Sequence, residues 1–487
     1  LPSYNSYYSR LWSGLSWCDS KRQYQKMEKD KNLIPSLPKG FRDRWGEELA
    51  LKKKILNKVE DTFIKYGFVP LETPPMEISS NIGSFLANDE ENPMSDVFSF
   101  NDDKESLTLR YDMSAPLARF VAQNYRDLVF PFKRYAYGDV FRREKPDNAR
   151  YRSFMQFDAD IIGNVNEAQA DGEICNIIAD TFKSCGLKKD RFIINISNRK
   201  IIQGLLSDIK INNDQEPKVI RAIDKLDRLG IQGVKDLLQV GRKDESGAIT
   251  KGANLTKIQT DAILNLIQIK DISDLKKSIK NKLSLEGIEE LEKLFEILAK
   301  GKFLDFIKLN LNIVRGITYY SGNCWETNLN FKAKNAKGKD IEIGSCASGG
   351  RYNSLIKRFK GVDFKGTGMS IGIDRLVFAL NQINKLDLNS NGILVLVLDE
   401  KYLDEYYSIV NLLRDNNINS EIYLDPNKNM KKQLAYADKK GFSLAIICGQ
   451  DEIDQNKATI KKLKSEDENK QFTVSRENLI NEIKKLQ

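Results

Sequence analysis

At 487 residues the chain exceeds what a single hydrophobic core of about 250–300 residues can serve, so two or three domains are expected. Its 41% hydrophobic and 30% charged residues and only 12 prolines exclude a disordered or fibrous chain, and no apolar run nears the roughly 20 residues of a membrane span, so a soluble, folded protein is expected. The chain has no histidine, which excludes imidazole bases and imidazole metal ligands, while a net charge of +9 suits a polyanionic partner without specifying one.

In chain order, residues 1–37 hold Ser, Tyr, Arg and Trp with no hydrophobic period. The acid-poor residues 1–18 have the composition of a transit peptide; an over-extended frame whose native start is Met27 is the favoured reading. From Trp45 to Tyr66 the apolar residues Leu49, Leu51, Ile55, Val59, Phe63 and Ile64 recur at helical spacing and stop at Gly67, where a C-terminal cap belongs. Phe68-Val69-Pro70-Leu71 then predicts a short strand. Strand-like text over 134–140 and 154–162, with Pro146-Asp147-Asn148 between, predicts a hairpin. Residues 205–305 turn to Lys, Leu, Ile and Asp at helical period and read as an inserted helical module without a catalytic motif. Farther on, apolar runs at 393–398, 421–424 and 444–448 alternate with helical text, which predicts a separate α/β domain with a partly parallel sheet. The six cysteines (Cys18, Cys175, Cys185, Cys324, Cys346 and Cys448) form no C-x-x-C pair, so neither a zinc site nor a redox pair is suggested.

Three segments carry chemistry. Phe141-Arg142-Arg143-Glu144 leads into Arg150-Tyr151-Arg152-Ser153-Phe154-Met155-Gln156-Phe157-Asp158-Ala159-Asp160, and alternate residues on one face of such a hairpin line a pocket. A planar guanidinium at Arg142 suits an α-phosphate and the Glu144 carboxylate an exocyclic amine. A solvated Arg/Glu ladder would give the same text. In Gly366-Thr367-Gly368-Met369-Ser370-Ile371-Gly372-Ile373-Asp374-Arg375-Leu376, glycines permit close packing and backbone approach to a nucleotide, with Arg375 placed for a γ-phosphate or an adenine face. Ile313-Val314-Arg315-Gly316-Ile317-Thr318-Tyr319-Tyr320-Ser321-Gly322 sets an arginine inside an apolar run, and a buried arginine needs an anionic partner.

In this order and separation the segments resemble class II aminoacyl-tRNA synthetases. The hairpin is similar to their motif 2 and the glycine-rich segment to motif 3. The helix and strand closed by Thr73-Pro74-Pro75-Met76-Glu77 resemble motif 1, which builds the dimer interface of that class. Residues 313–322 resemble the L-V-R-G-L-D-Y-Y-T-G signature of histidyl-tRNA synthetases, and Ser348-Gly349-Gly350-Arg351-Tyr352-Asn353-Ser354-Leu355 their A-G-G-R-Y-D-x-L. Leu109-Arg110-Tyr111-Asp112-Met113-Ser114-Ala115-Pro116-Leu117-Ala118-Arg119 is similar to their R-Y-D-L-T-x-P-x-A-R, and residues 432–452 look like the class IIa anticodon-binding domain.

This resemblance implies an α+β catalytic domain built on an antiparallel sheet with a helical insertion, plus a C-terminal α/β anticodon-binding domain. The expected divisions are an extension at 1–37, catalytic parts at 38–204 and 306–388, the insertion at 205–305 and the anticodon-binding domain at 389–487. It implies activation of L-histidine by ATP and transfer to the 3′ end of tRNA(His), with Mg²⁺ on the phosphates. Arg142 and Arg315 would be catalytic at the α-phosphate, and ATP would meet Arg142, Glu144 and Arg375. Histidine would meet Asp112, Ser114 and Gln156 around its ammonium group, with Met113 also among its binding residues, Asp160, Tyr319 and Tyr320 around its imidazole, and Arg315 at its carboxylate. A homodimer in the cytoplasm is implied, or an organellar protein if residues 1–26 are a transit peptide. The rival is a catalytically silent paralogue that senses histidine or tRNA, which would lack the arginines that are present here. Against the family pattern, Thr318 and Asn353 each stand where an Asp is usual, and Arg143 and Met155 where bacterial members often carry His, so altered packing is expected there more than lost function.

Overall fold

The computed structural model describes residues 34–82, 97–143, 151–243, 249–314, 320–334, 338–353, 357, 364–383, 392–425, 427–463 and 471–486. They fall into two compact units, Leu1–Trp45 with Lys52–Leu380, and Asn381–Gln487 with Gly46–Leu51.

The first unit is built on an eight-stranded sheet of β1 (Val69–Pro70), β2 (Phe132–Phe141), β3 (Ser153–Gly163), β4 (Phe192–Asn198), β5 (Ile307–Leu309), β6 (Asn323–Leu329), β7 (Ser345–Arg351) and β8 (Lys365–Gly372). The order is β1-β2-β3-β8-β7-β6-β4-β5, with six antiparallel strands in the centre and one parallel strand on each edge. The antiparallel sheet and the β2–β3 hairpin agree with the sequence reading; the hairpin tip at 144–150 lies outside the described residues. Cross-strand partners share a face. Register therefore places Arg134, Asp160, Gly368 and Gly350 in one row, and Ala136, Asp158, Ser370 and Ser348 in the next.

Helix α1 (Gly46–Lys65) ends as its text demands: Gly67 takes φ +76°, Gly67 N–H donates to Ile64 O at 3.0 Å and Phe68 N–H to Phe63 O at 3.1 Å. Its Phe63 packs on Phe157 of the sheet's back face, ring centroids 4.8 Å apart. On the front lies α2 (Ser114–Asn124), whose Leu117, Ala118 and Val121 form a core with Ile162 and Tyr352. The back face also carries α3 (Glu167–Ser184), capped by Asn166, and α4 (Lys282–Ala299), which packs on α3 and on β4. Residues 205–305 are mainly helical, with one two-stranded pair between Gly241–Lys243 and Ile249–Lys251. Helix α5 (Ile373–Ile383) continues from β8.

The second unit has a sheet of β9 (Ile393–Val395), β10 (Ser420–Ile422), β11 (Leu444–Ile447), β12 (Lys457–Lys462) and β13 (Gln471–Ser475) in the order β10-β9-β11-β12-β13. The first three strands are parallel and the last two antiparallel, which is the partly parallel α/β sheet expected. Helices α6 (Leu403–Asp415) and α8 (Leu479–Leu486) bury Tyr406, Ile409, Leu479 and Ile483 on one face of this sheet, and α7 (Met430–Lys440) lays Ala437 on the other. The fully buried Gln433 of α7 behaves as a strand partner: its amide donates to Val397 O at 2.6 Å and its carbonyl accepts from Val397 N–H at 3.0 Å.

One buried polar network locks the back of the main sheet. Asp171 of α3, wholly buried, accepts from Arg351 Nη2 at 2.5 Å, Thr367 Oγ1 at 2.8 Å and Asn323 Nδ2 at 3.0 Å, thereby joining β6, β7 and β8. Arg351 also meets Glu290 of α4 at 3.1 Å. Removing one partner of a buried ion pair strands the other charge. Asp171→Ala is therefore expected to cost about 3–5 kcal/mol in urea unfolding; a loss under about 1 kcal/mol would mean that the network does not hold the sheet.

Candidate functional site

The front face opens into a cavity of about 80 Å³ lined by Asp112, Ser114, Arg142, Gln156, Asp160, Tyr320, Ser348, Tyr352, Gly368, Met369 and Ser370. Space exists because glycines occupy the floor. A methyl group on Gly368 would lie 2.1 Å from Asp160 Oδ1, one on Gly350 2.8 Å from the Tyr320 ring, and one on Gly138 2.1 Å from the Arg110 guanidinium. Gly366 clears the Tyr352 ring in the same way. The glycines of the motif 3-like segment thus accommodate side chains of the site itself.

Asp112 stands before α2, and its Oδ1 accepts from Ser114 N–H at 3.1 Å and Ala115 N–H at 3.0 Å, which ties the carboxylate to the start of the helix. Its Oδ2 is buried and has no hydrogen-bond partner. The same is true of Gln156 Oε1. Buried acceptors are seldom left unpaired. Two of them converging on one cavity leave room for a ligand that brings N–H donors.

Beneath the cavity the wholly buried Arg134 meets Asp160 Oδ2 at 2.6 Å and donates to Met113 O at 3.2 Å. Tyr352 O–H donates to the other oxygen of Asp160. Three buried carboxylates, Asp112, Asp158 and Asp160, surround this one arginine. Burial raises the pKa of each and pushes Asp158 up to about 7; Arg134 opposes it at Asp158 and Asp160, and the Ala115 N–H and Arg142 oppose it at Asp112. In the cavity wall, the Arg142 guanidinium sits over the Tyr111 ring at 4.3 Å and near Phe154 at 5.2 Å, and its Nε donates to Tyr111 O at 3.2 Å.

Of the residues singled out from sequence, the cavity gathers Asp112, Ser114, Arg142, Gln156, Asp160 and Tyr320. Met113 does not line it; its side chain packs with Ala136 and Val140 while its carbonyl serves Arg134. Arg375, in the first turn of α5, does not line it either and donates to Ser345 O at 2.8 Å. Glu144, Arg315 and Tyr319 lie outside the described residues, as does Thr318. Asn353 is well used: its amide donates to Glu167 Oε1 at 2.7 Å, a bond that an ionised Asp could not make. Sequence reasoning passed over Arg134, Asp158, Ser348, Tyr352 and Ser370. Arg134 and Asp158 sit inside strand text at the period-two positions of the pocket face, and that alternation is the signal that could have found them. Among the described residues no cluster of three or more Cys, Asp or Glu could hold a metal ion.

A family profile described as "Histidyl-tRNA synthetase" matches residues 40–376, and one described as "Anticodon binding domain" matches residues 392–486. The chain is 59% identical over 464 residues to the histidine–tRNA ligase of Pelagibacter ubique, covering 94% of this chain and 100% of that protein. It is 39% identical to the histidine–tRNA ligase of a Jannaschia species, covering 90% and 92%. Among solved structures it matches the crystal structure of histidyl-tRNA synthetase from Nostoc sp. PCC 7120 with a TM-score of 0.73 at 27% identity, over 94% of this chain and 100% of that chain. A Bacillus halodurans structure titled as an ATP phosphoribosyltransferase regulatory subunit/histidyl-tRNA synthetase matches at 23% identity with a TM-score of 0.67, covering 86% and 99%, and speaks to fold alone.

The raised carboxyls set a pH dependence. An unfolded Asp titrates near 3.9, so between about pH 4 and pH 7 the folded chain holds more protons at Asp158 than the unfolded chain does. Stability from this group is full below pH 4 and is lost as pH rises through about 7. Asp158→Asn should flatten that part of the Tm-against-pH curve of the unliganded protein, and an unchanged slope would contradict the assignment.

Proposed function

The chain belongs to the histidyl-tRNA synthetase family, and on that premise we propose that the cavity is the amino-acid site of a histidine–tRNA ligase. The observation that carries this reading is the pair of buried, unpartnered acceptors, Asp112 Oδ2 and Gln156 Oε1. With the Ser114 hydroxyl they offer three acceptors to the three N–H groups of an α-ammonium, whose charge pairs with the Asp112 carboxylate.

The chemistry follows from what is held where. A carboxylate oxygen of histidine attacks the α-phosphorus of ATP, the bond to the β-phosphate breaks, and pyrophosphate leaves with the electron pair. Charge gathers on the α-phosphate oxygens, and Arg142, preset by its stack on Tyr111, stabilises it. Arg315 joins it there, and Glu144 and Arg375 bind ATP, as the family resemblance implies. Mg²⁺ enters with ATP, held mainly by the phosphates as is usual for this ion; the described residues form no cage of their own for it, and no step is routed through it. In the second step the terminal ribose hydroxyl of tRNA(His) attacks the adenylate carbonyl and AMP leaves. No protein nucleophile is needed, which suits a chain without histidine.

The second unit binds the anticodon end of the tRNA, and the exposed Lys431, Lys432 and Lys439 on α7 suit its phosphates. The enzyme acts as a cytoplasmic homodimer. Exposed Ile64, Val69 and Met76, all within the motif 1-like segment, and the adjoining Ile78 favour an apolar contact through that segment. No helix among the described residues is long and apolar enough to cross a membrane. Nothing observed favours the silent regulatory reading.

ATP–pyrophosphate exchange measured with each of the twenty amino acids should respond to histidine alone, and Arg142→Ala should lower its kcat by roughly 10²–10³. Exchange with another amino acid, or an unaffected variant, would overturn the assignment. Light scattering should give twice the 55.7 kDa chain mass, and Val69→Asp should shift it toward the monomer; a monomeric parent would contradict the interface.

A further inference from the structure

Asp158 has no part in the mechanism above, yet it is the least satisfied polar side chain beside the cavity. It lies on β3 between Gln156 and Asp160, and the period of the strand turns all three toward the front face. Its cross-strand partner, Ser370, lines the cavity. Only 1% of Asp158 is exposed, and neither carboxylate oxygen closes a hydrogen bond, although the Ser370 hydroxyl faces it and favours its charged form. The nearby cations act on Asp158 through charge and close no hydrogen bond on it: Arg134 pairs with Asp160 and donates to Met113 O, with Nε and Nη1 left unpartnered, while Arg110 donates to Asp139 O at 2.8 Å and Thr73 O at 3.1 Å. A buried carboxylate beside a substrate cavity, with the Ser370 hydroxyl as its one neighbouring side-chain donor, keeps acceptor capacity for a ligand's N–H.

Resting on the reading of this cavity as the amino-acid site, we propose that Asp158 is a specificity-determining residue: a second carboxylate, beside Asp160, that accepts an imidazole N–H of bound histidine. The α-ammonium already has three acceptors in Asp112, Ser114 and Gln156, so the remaining acceptor falls to the ring. Asp160 alone is poorly placed for that task, because one of its oxygens accepts from Tyr352 and the other pairs with Arg134. Asp158 would accept the N–H of the ring and so exclude an analogue methylated at that nitrogen.

The test compares the full-length parent with Asp158→Asn and Asp158→Ala in ATP–pyrophosphate exchange, with histidine and its two ring-N-methylated isomers. Asp158→Asn keeps the shape of the side chain and so carries the test if Asp158→Ala does not fold. Expected are a KM for histidine raised tenfold or more, a KM for ATP within twofold of the parent, and acceptance of one N-methyl isomer that the parent rejects. A folded variant whose KM for histidine stays within twofold, with both isomers still rejected, would overturn the proposal. So would KM values for histidine and ATP that rise together. A parent without histidine-dependent exchange would instead sink the amino-acid-site reading, and this proposal with it.

Discussion

The site depends on one buried ion pair, Arg134 with Asp160. Taking two charges out of water is costly, and such a pair survives only with good geometry and further hydrogen bonds. Here the geometry is 2.6 Å, and the additional bonds come from Tyr352 to Asp160 and from Arg134 to the carbonyl of Met113. That last bond gives the pair its reach. Met113 sits between Asp112 and Ser114 at the start of α2, so a guanidinium on β2 fixes the backbone that presents two of the three acceptors for an ammonium group. Losing either charge would disturb strand, helix start and cavity floor together.

The second constraint is emptiness. Glycines at 138, 350, 366 and 368 open the front of a sheet whose back is filled by Phe157, Ile371 and Trp325. The same strands are therefore packed on one side and hollow on the other. The Asp171–Arg351 network holds β6, β7 and β8 rigidly from behind, which lets the front face keep unpaired carboxylates at fixed positions. Rigidity behind and unsatisfied polarity in front is the arrangement expected of a preorganised polar site.

Much of this was legible in the sequence, for identifiable reasons. The strand β3 alternates polar and apolar over Gln156–Ile161, α1 closes on a glycine in the left-handed region, and the second unit spaces its apolar runs as parallel strands require. Asp112, Ser114, Arg142, Gln156 and Asp160 were found because motif residues keep their spacing. Other features stayed hidden because they depend on register. Tyr352 meets Asp160 across 192 positions of sequence, and nothing local to either residue announces the partner. The edge strand β5 has three residues, too few to show a period. Asp158 reads as one more polar residue of an alternating strand until the sheet places it beside Ser370.

The central claim is that the cavity holds fixed acceptors for an α-ammonium group. Calorimetric binding of histidine and of its desamino analogue, imidazolepropionate, to the full-length protein and to Asp112→Asn tests it most directly. The account predicts that the parent prefers histidine by tenfold or more and that Asp112→Asn loses most of that preference. Equal binding of the two ligands by the parent would contradict it.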